Sequence, residues 1–374
     1  MEVAIIGAGI GGLATALALK SAQIPFRIYE GAPALEPVGA GIMIANNAMQ
    51  AFRTWGIAEE AIALGNRISV MNLTHPDLSP ISSNDLGWFE KRSGLHNIAI
   101  HRADLHRVLV NAVGGHHIVL NKRLKTVSQA ENAYELSFED GSVAAADYLV
   151  GADGLRSRMR SALFGNGALR DAGQNCWRGV TNYALPERYH HELNEAWGKG
   201  KRFGFVRLND RQVYWYLLID QDLADLTSDI LPYLSDFHPL VGEIIRATPS
   251  SGWIVAPIFD LKPMRQWNTG RACLIGDAAH ATTPNLGQGA CQAIEDAYAL
   301  GELLKKCSLD EAIRRYPSVR MPKAHYIVDM SWRIGKVAHA RNPLLIGLRN
   351  LIMKATPARV NQRQLAKIFS LDAV

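Results

Sequence analysis

Three short apolar runs, at residues 3–6, 148–152 and 272–275, each lead into a glycine-containing turn. After the first comes Gly7-Ala8-Gly9-Ile10-Gly11-Gly12, and Ile10, Leu13, Ala14, Leu17 and Ala18 are spaced as one face of a helix. A further strand at 26–29 then delivers Glu30. The second run enters Asp153-Gly154, with Ser157 and Arg160 close behind. The third ends on Gly276-Asp277; a loop follows, and Gly287-Gln288-Gly289 opens a helix with apolar positions Ala290, Ala293, Ile294, Ala297 and Leu300. Between 177 and 260 strands dominate, and the period falls to two: Phe203, Phe205, Val213, Trp215 and Leu217 alternate with Arg202, Gly204, Tyr214 and Tyr216. That alternation predicts a half-buried sheet, one face toward a core and the other toward a cavity or solvent.

Strand, glycine turn and helix together form an anion-binding device. Gly7 allows the tight turn, Gly9 lets backbone approach a pyrophosphate, and Gly12 lets helix and strand pack closely. Glu30 lies at the distance expected of an acid that binds ribose hydroxyls. A tight turn that binds nothing is the alternative. At Gly287-Gln288-Gly289 the unpaired N–H groups and positive end of a helix suit an anion, or a group that becomes anionic during turnover. Asp277 is placed to accept a hydrogen bond from a ribitol or ribose hydroxyl. The expected fold is therefore α/β: a discontinuous Rossmann-like domain at about residues 1–70, 96–168 and 262–330, a β-sheet substrate domain at about 71–95 and 169–261, and a C-terminal helical segment over about 331–374. Glu139-Asp140-Gly141 is expected to join two strands of a small antiparallel meander.

In their order and approximate separations, the three segments resemble the fingerprints of FAD-dependent monooxygenases of the para-hydroxybenzoate hydroxylase type, the class A flavoprotein hydroxylases. The resemblance covers nearly the whole chain. It implies that Gly7, Gly9, Gly12 and Glu30 hold the ADP end of FAD, that Asp277 meets the ribityl chain, and that Asp153 serves both FAD and the nicotinamide donor. His101-Arg102-Ala103-Asp104-Leu105 is similar to the family's Arg-x-x-Leu, which puts Arg102 near the pyrophosphate or ribityl region, although a solvated first-turn arginine reads the same way. Val38-Gly39-Ala40-Gly41-Ile42 resembles the segment that passes the isoalloxazine ring, and Pro284, Gly287 and Gly289 belong to the run at its other side. With one G-x-G-x-x-G and no second nicotinamide domain, the resemblance implies that NADPH or NADH visits transiently and reduces FAD. O2 then forms a flavin C4a-hydroperoxide that transfers one oxygen to an electron-rich substrate, the cofactor carrying the chemistry.

Among such enzymes the pattern is similar to bacterial FAD-dependent urate hydroxylases, where a Gly-Lys-Arg segment and a tyrosine on the following strand face the pocket. These match Lys201-Arg202 and Tyr214, so Arg202 would hold an anionic or carbonyl-bearing substrate and Tyr214 would hydrogen-bond it. A strand arginine and tyrosine on a solvated face fit the alternation equally. The urate enzymes carry aspartate where this chain has Asn285, and an amide cannot serve as a carboxylate base. The expected substrate is thus a small aromatic, heteroaromatic or polyene compound to be hydroxylated or epoxidised. The competing readings are an FAD-linked reductase of a prenyl or unsaturated substrate, and a non-catalytic FAD- or NADH-binding regulatory protein.

Composition narrows this little further. Hydrophobic content of 48% and charged content of 20% over 374 residues are globular values, and no stretch approaches the ~18 apolar residues of a membrane span. Met1 leads directly into the first strand, and Cys176, Cys273, Cys291 and Cys307 show no C-x-x-C pair; both favour buried thiols in a cytoplasmic enzyme. The histidine pairs His116-His117 and His190-His191 lack metal-ligand spacing, so no metal is expected. The net charge of +5 comes largely from the tail, where Arg333, Lys336, Arg341, Arg349, Lys354, Arg359, Arg363 and Lys367 face only Asp372. Interleaved with Leu344, Leu345, Ile346, Leu348, Leu351, Ile352 and Met353, they predict amphipathic helices packed on the flavin domain with a solvated basic face; a membrane-surface helix is the other option. Nothing beyond charge points to nucleic acid. The partners expected are a small-molecule substrate and O2, in a monomer or homodimer.

Overall fold

A computed structural model describes residues 2–35, 39–130 and 133–371. Val3–Ile6 lies between Phe26–Tyr29 and Tyr148–Gly151, parallel to both, and Tyr148–Gly151 is in turn parallel to Ala272–Leu274. The register pairs Ile6 with Tyr29 and Gly151, and Gly151 with Leu274. Consequently the four strands end on one edge of a six-stranded sheet, and the turns after them emerge side by side. Burial on both faces explains why these strands read as unbroken apolar runs. The helix Ile10–Ser21 packs on this sheet, and Gly289–Leu304 packs on that helix.

The second sheet has seven strands in the order Ile254–Leu261, Leu169–Asn182, Gln212–Asp220, Lys201–Arg207, Glu192–Trp197, Val70–Thr74 and Pro80–Asp85. The alternation is realised. Phe203, Phe205, Val213, Trp215 and Leu217 are buried in one cluster with Val241, Ile244 and Ile245 of the helix Pro239–Arg246. Arg202, Gly204, Tyr214 and Tyr216 take the opposite face. A small sheet of Gly41–Ile44, Asn97–His101 and Asn66–Ile68 bridges toward that face. The meander forms as expected: Ala133–Phe138 and Val143–Ala146 join through a turn in which Gly141 has φ +82° and the Asp140 carboxylate accepts the Ser142 N–H.

A single helix, Leu309–Ala338, runs through residue 330, capped by Ser308 and buried along Ala312, Ile313, Tyr316, Ala324, Ile327 and Val328. One expectation changes: the tail is turned over. The helix Pro343–Ala355 rests on Pro80–Asp85 of the seven-stranded sheet and buries Arg349, while Leu344, Leu345, Leu348, Leu351 and Ile352 are exposed. The guanidinium of Arg349 finds the carbonyls of Val337 and Ala338 and the ring of Trp197, and these fixed partners set the helix rotation that periodicity alone left open. Of the four cysteines, Cys176, Cys273 and Cys291 are buried and Cys307 is half-buried; all are free thiols. Among the described residues no helix is long and apolar enough to cross a membrane, and no group of three or more His, Cys, Asp or Glu is arranged to hold a metal.

Candidate active site

The aligned strand ends form the first half of the site. Gly7 has φ +105°, and a Cβ there would stand 2.6 Å from the Ala152 carbonyl oxygen; a Cβ on Gly12 would stand 1.9 Å from the oxygen of Gly7. Both positions demand glycine. Gly9 has nothing within 4 Å of its Cβ direction, so the turn is open where a pyrophosphate would lie across the start of Ile10–Ser21. The Glu30 carboxylate is already engaged, accepting the N–H groups of Ala8 (2.7 Å) and Ala32 (2.8 Å). It therefore shapes the glycine turn.

Asp153 lies past the end of Tyr148–Gly151. Its Oδ2 accepts the N–H groups of Arg158 (2.8 Å) and Met159 (3.1 Å) at the start of Arg158–Leu163, and Ser157 caps the same helix; Oδ1 is buried without a partner among the described residues. A buried carboxylate oxygen left open is an acceptor awaiting a donor. Arg102 opens the helix Arg102–Val113 and is exposed, its stem packed against Gly39; Leu105 is fully buried. Val38 lies outside the described residues. A cavity of about 540 Å³ runs along this helix, lined by Leu35, His101, Asp104, His106, Arg107 and Gln212. It adjoins the glycine turn, where His106 bonds the Ala8 carbonyl.

At the third turn, Asp277 begins a four-residue helix, and a Cβ on Gly289 would stand 3.9 Å from its Oδ1. One side of Asp277 opens to the cleft while protein surrounds the rest. Desolvation holds its carboxyl above the ordinary range, partly offset by His280 and Arg102. Pro284 starts the single turn Pro284–Leu286, and Gly287, at φ +61°, hands the chain to Gly289–Leu304. Beneath lies a network whose first acids fall within the third motif although nothing marked them out. Asp296 accepts the Gly276 N–H (2.9 Å) and bonds His280 (2.5 Å) and Arg320 (2.9 Å). Glu295 takes Arg320 (2.6 Å), Lys323 (2.8 Å) and Asn47 (2.9 Å). Burial opposes ionisation of Asp296, yet His280 and Arg320 bring its carboxyl below the usual value. Its partners lie up to 24 residues away, so only the fold reveals the cluster.

The second half of the site faces this edge from the seven-stranded sheet. Arg202, 1% exposed, donates to Glu195 (3.1 Å) and to the amide oxygen of Asn285. Glu195 also accepts Trp197 Nε1 (2.5 Å) and the Tyr216 hydroxyl. Burial, and then Glu195, push the Tyr216 phenol well up, so it remains a donor. The Asn285 amide nitrogen donates to Thr283 Oγ1 (2.9 Å) and the Ser331 carbonyl (2.7 Å), tying the loop to Leu309–Ala338. Tyr214 packs so closely on Gly41 that a Cβ there would come within 2.4 Å of its ring, and burial raises its phenol as well. The structure thus joins Arg202 to Asn285, while Tyr214 lies against Gly41 and beside the Tyr216 ring. Glu195 went unnoticed in the sequence; the available signal was an acid on the same strand face as Trp197, pairing with Gly204.

The residues fit FAD: an open glycine turn, an orphaned carboxylate oxygen and a helix start converge on one edge. The comparisons agree. Residues 1–331 match the FAD binding domain family, and the chain belongs to it. It is an FAD-dependent monooxygenase, similar over nearly its whole length to aurachin C monooxygenase/isomerase of Stigmatella aurantiaca, with 38% identity covering 95% of this chain and 94% of that one. It is also similar to 2-heptyl-3-hydroxy-4(1H)-quinolone synthase of Pseudomonas aeruginosa, at 31% identity over 99% and 98% of the two chains. The fold matches that of Klebsiella pneumoniae HpxO complexed with FAD and uric acid, with TM-score 0.90, 24% identity, and coverage of 99% and 96%.

Proposed function

We propose that the enzyme uses NADH or NADPH and O2 to hydroxylate a bicyclic heteroaromatic of the 4-quinolone type at a ring carbon next to its carbonyl. The observation that carries this reading is Arg202. Its Nε–H is buried and lacks an acceptor among the described residues, so a substrate carbonyl oxygen would complete it. The names of the aurachin and quinolone relatives supply the substrate class. A substrate C–H becomes C–OH with one atom of O2, while the other leaves as water with the hydride of the nicotinamide and a proton.

FAD, when bound and reduced, supplies the O2 activation. Gly7, Gly9, Gly12 and Glu30 hold its ADP end, Arg102, Asp153 and Asp277 its middle, and Pro284, Gly287 and Gly289 flank the ring; Asp153 also assists the nicotinamide visit. Arg202 orients the substrate carbonyl, Glu195 fixes Arg202, and Tyr214 walls the pocket. Asn285 positions Arg202 and does not act as a base, because both ends of its amide are engaged. Strands within 169–261 and 70–85 form the substrate domain, the rest of the chain before the tail binds flavin, and the enzyme works in the cytoplasm as a monomer or homodimer.

A 2-alkyl-4-quinolone should accelerate NAD(P)H oxidation by the FAD-loaded protein and yield a product heavier by one oxygen. Urate should do neither. Arg202→Ala should lower kcat/KM for the quinolone by roughly 10- to 150-fold, the loss of a charge-assisted hydrogen bond. Coupled urate hydroxylation by the unmodified protein would overturn the assignment.

A further inference from the structure

Seven of the twelve large apolar side chains that stand exposed among the described residues fall in the tail, and five of them share one helix. Leu344 is 83% exposed, Leu351 64%, Leu345 59%, Ile352 57% and Leu348 55%. Their spacing of i, i+1, i+4, i+7 and i+8 puts them on a single arc of Pro343–Ala355. The rotation is fixed from inside: Asn342 caps the helix through the N–H of Leu344, and Arg349 is held against backbone carbonyls and the Trp197 ring. An isolated exposed leucine needs no explanation, but a whole helix face pointed outward marks an interaction surface.

Charge says what covers it. From residue 330 to 371 the sequence has eight Lys or Arg and no Asp or Glu, which leaves the remainder of the chain slightly negative. Arg341 is spent on Asp220 and Asp222. Lys354 follows the apolar arc, and Arg359, Arg363 and Lys367 form an exposed i, i+4, i+8 stripe on the next helix, Ala358–Phe369. Both helices rest on the same edge strand, Pro80–Asp85. A second copy of the chain is a poor occupant, because a two-fold contact would bring two wholly basic tails together. We propose that this surface docks on an anionic phospholipid bilayer, the leucine arc entering the acyl boundary and the basic stripe meeting the headgroups.

Flotation with vesicles tests this on the FAD-loaded full chain. Wild type should float with vesicles containing about one third phosphatidylglycerol at least about tenfold more than with pure phosphatidylcholine, and high salt should weaken the difference. The triple variant L348Q/L351Q/I352Q should lose flotation on both. R359Q/R363Q/K367Q should lose about a hundredfold on anionic vesicles only, about fivefold per basic residue. All the replaced side chains are exposed, so flavin absorbance and thermal midpoint should remain those of wild type. Wild type that stays unbound on anionic vesicles at low salt would overturn the proposal. So would a leucine variant that floats normally but turns a dimer into a monomer, since the second copy would then be the occupant.

Discussion

The two halves of the site are built from different materials. On the flavin edge the key groups are backbone: turns opened by Gly7, Gly9 and Gly12, and helix starts aimed at one line. On the substrate sheet they are buried side chains: Arg202 held between Glu195 and Asn285, with Tyr216 and Trp197 closing the acid's other lone pairs. Backbone donors point at any phosphate and tolerate changes of neighbouring side chain. A buried ion network is specific to one ligand shape and fails when a member is lost. The flavin edge therefore depends on backbone geometry, and the facing sheet on side-chain chemistry.

The largest expected effect lies in the substrate half. Glu195→Leu leaves the buried Arg202 uncompensated and should lower stability by about 3–5 kcal/mol. A denaturant midpoint unchanged from wild type would show that the pair is solvated. Glu195→Gln keeps an acceptor for Arg202 and should cost much less, which separates charge from shape. In the flavin half, Gly12→Ala forces helix and turn apart and should cost about 1–3 kcal/mol as overpacking, appearing as weakened retention of FAD on purification. Full flavin occupancy in that variant would remove the argument from close approach.

The same contrast explains what could be read beforehand. Strand, turn and helix are local, so the runs at 3–6, 148–152 and 272–275 announced themselves, and the period of two exposed the sheet carrying Arg202 and Tyr214. Glu195 reaches Arg202 across a strand pair, and Arg320 reaches Asp296 from another helix; no local pattern encodes either meeting. The tail failed for a related reason. Its amphipathic period was legible, but which face points inward depended on Arg349 finding Trp197 and the end of the preceding helix.

A smaller effect tests whether the flavin edge is as backbone-built as it looks. Glu30→Gln should weaken FAD by about 1.5–3 kcal/mol, roughly 10- to 150-fold in dissociation constant. Its oxygens also hold the N–H groups of Ala8 and Ala32, so part of that loss should come from a looser glycine turn. Following hydrogen exchange of those two amides in the FAD-free variant separates the contributions. Unchanged affinity would mean that backbone alone binds the ADP end.

The smallest effect is one of sign, at Asp277. Its carboxyl is raised in the folded chain, chiefly by desolvation, so the ionised form is less favourable folded than unfolded. Above the raised value this acid therefore costs stability, and the cost is relieved as pH falls through the folded value toward the unfolded one. Asp277→Asn should accordingly raise the Tm of the FAD-free protein slightly at neutral pH, with a gain that shrinks on acidification. With FAD present the order should reverse, because the ribityl hydroxyls lose a charged acceptor and flavin dissociates more readily. An apoprotein whose Tm falls on Asp277→Asn at neutral pH would show that the carboxylate stabilises the fold, and Asp277 would then join Glu30 as a side chain of the flavin edge that serves structure.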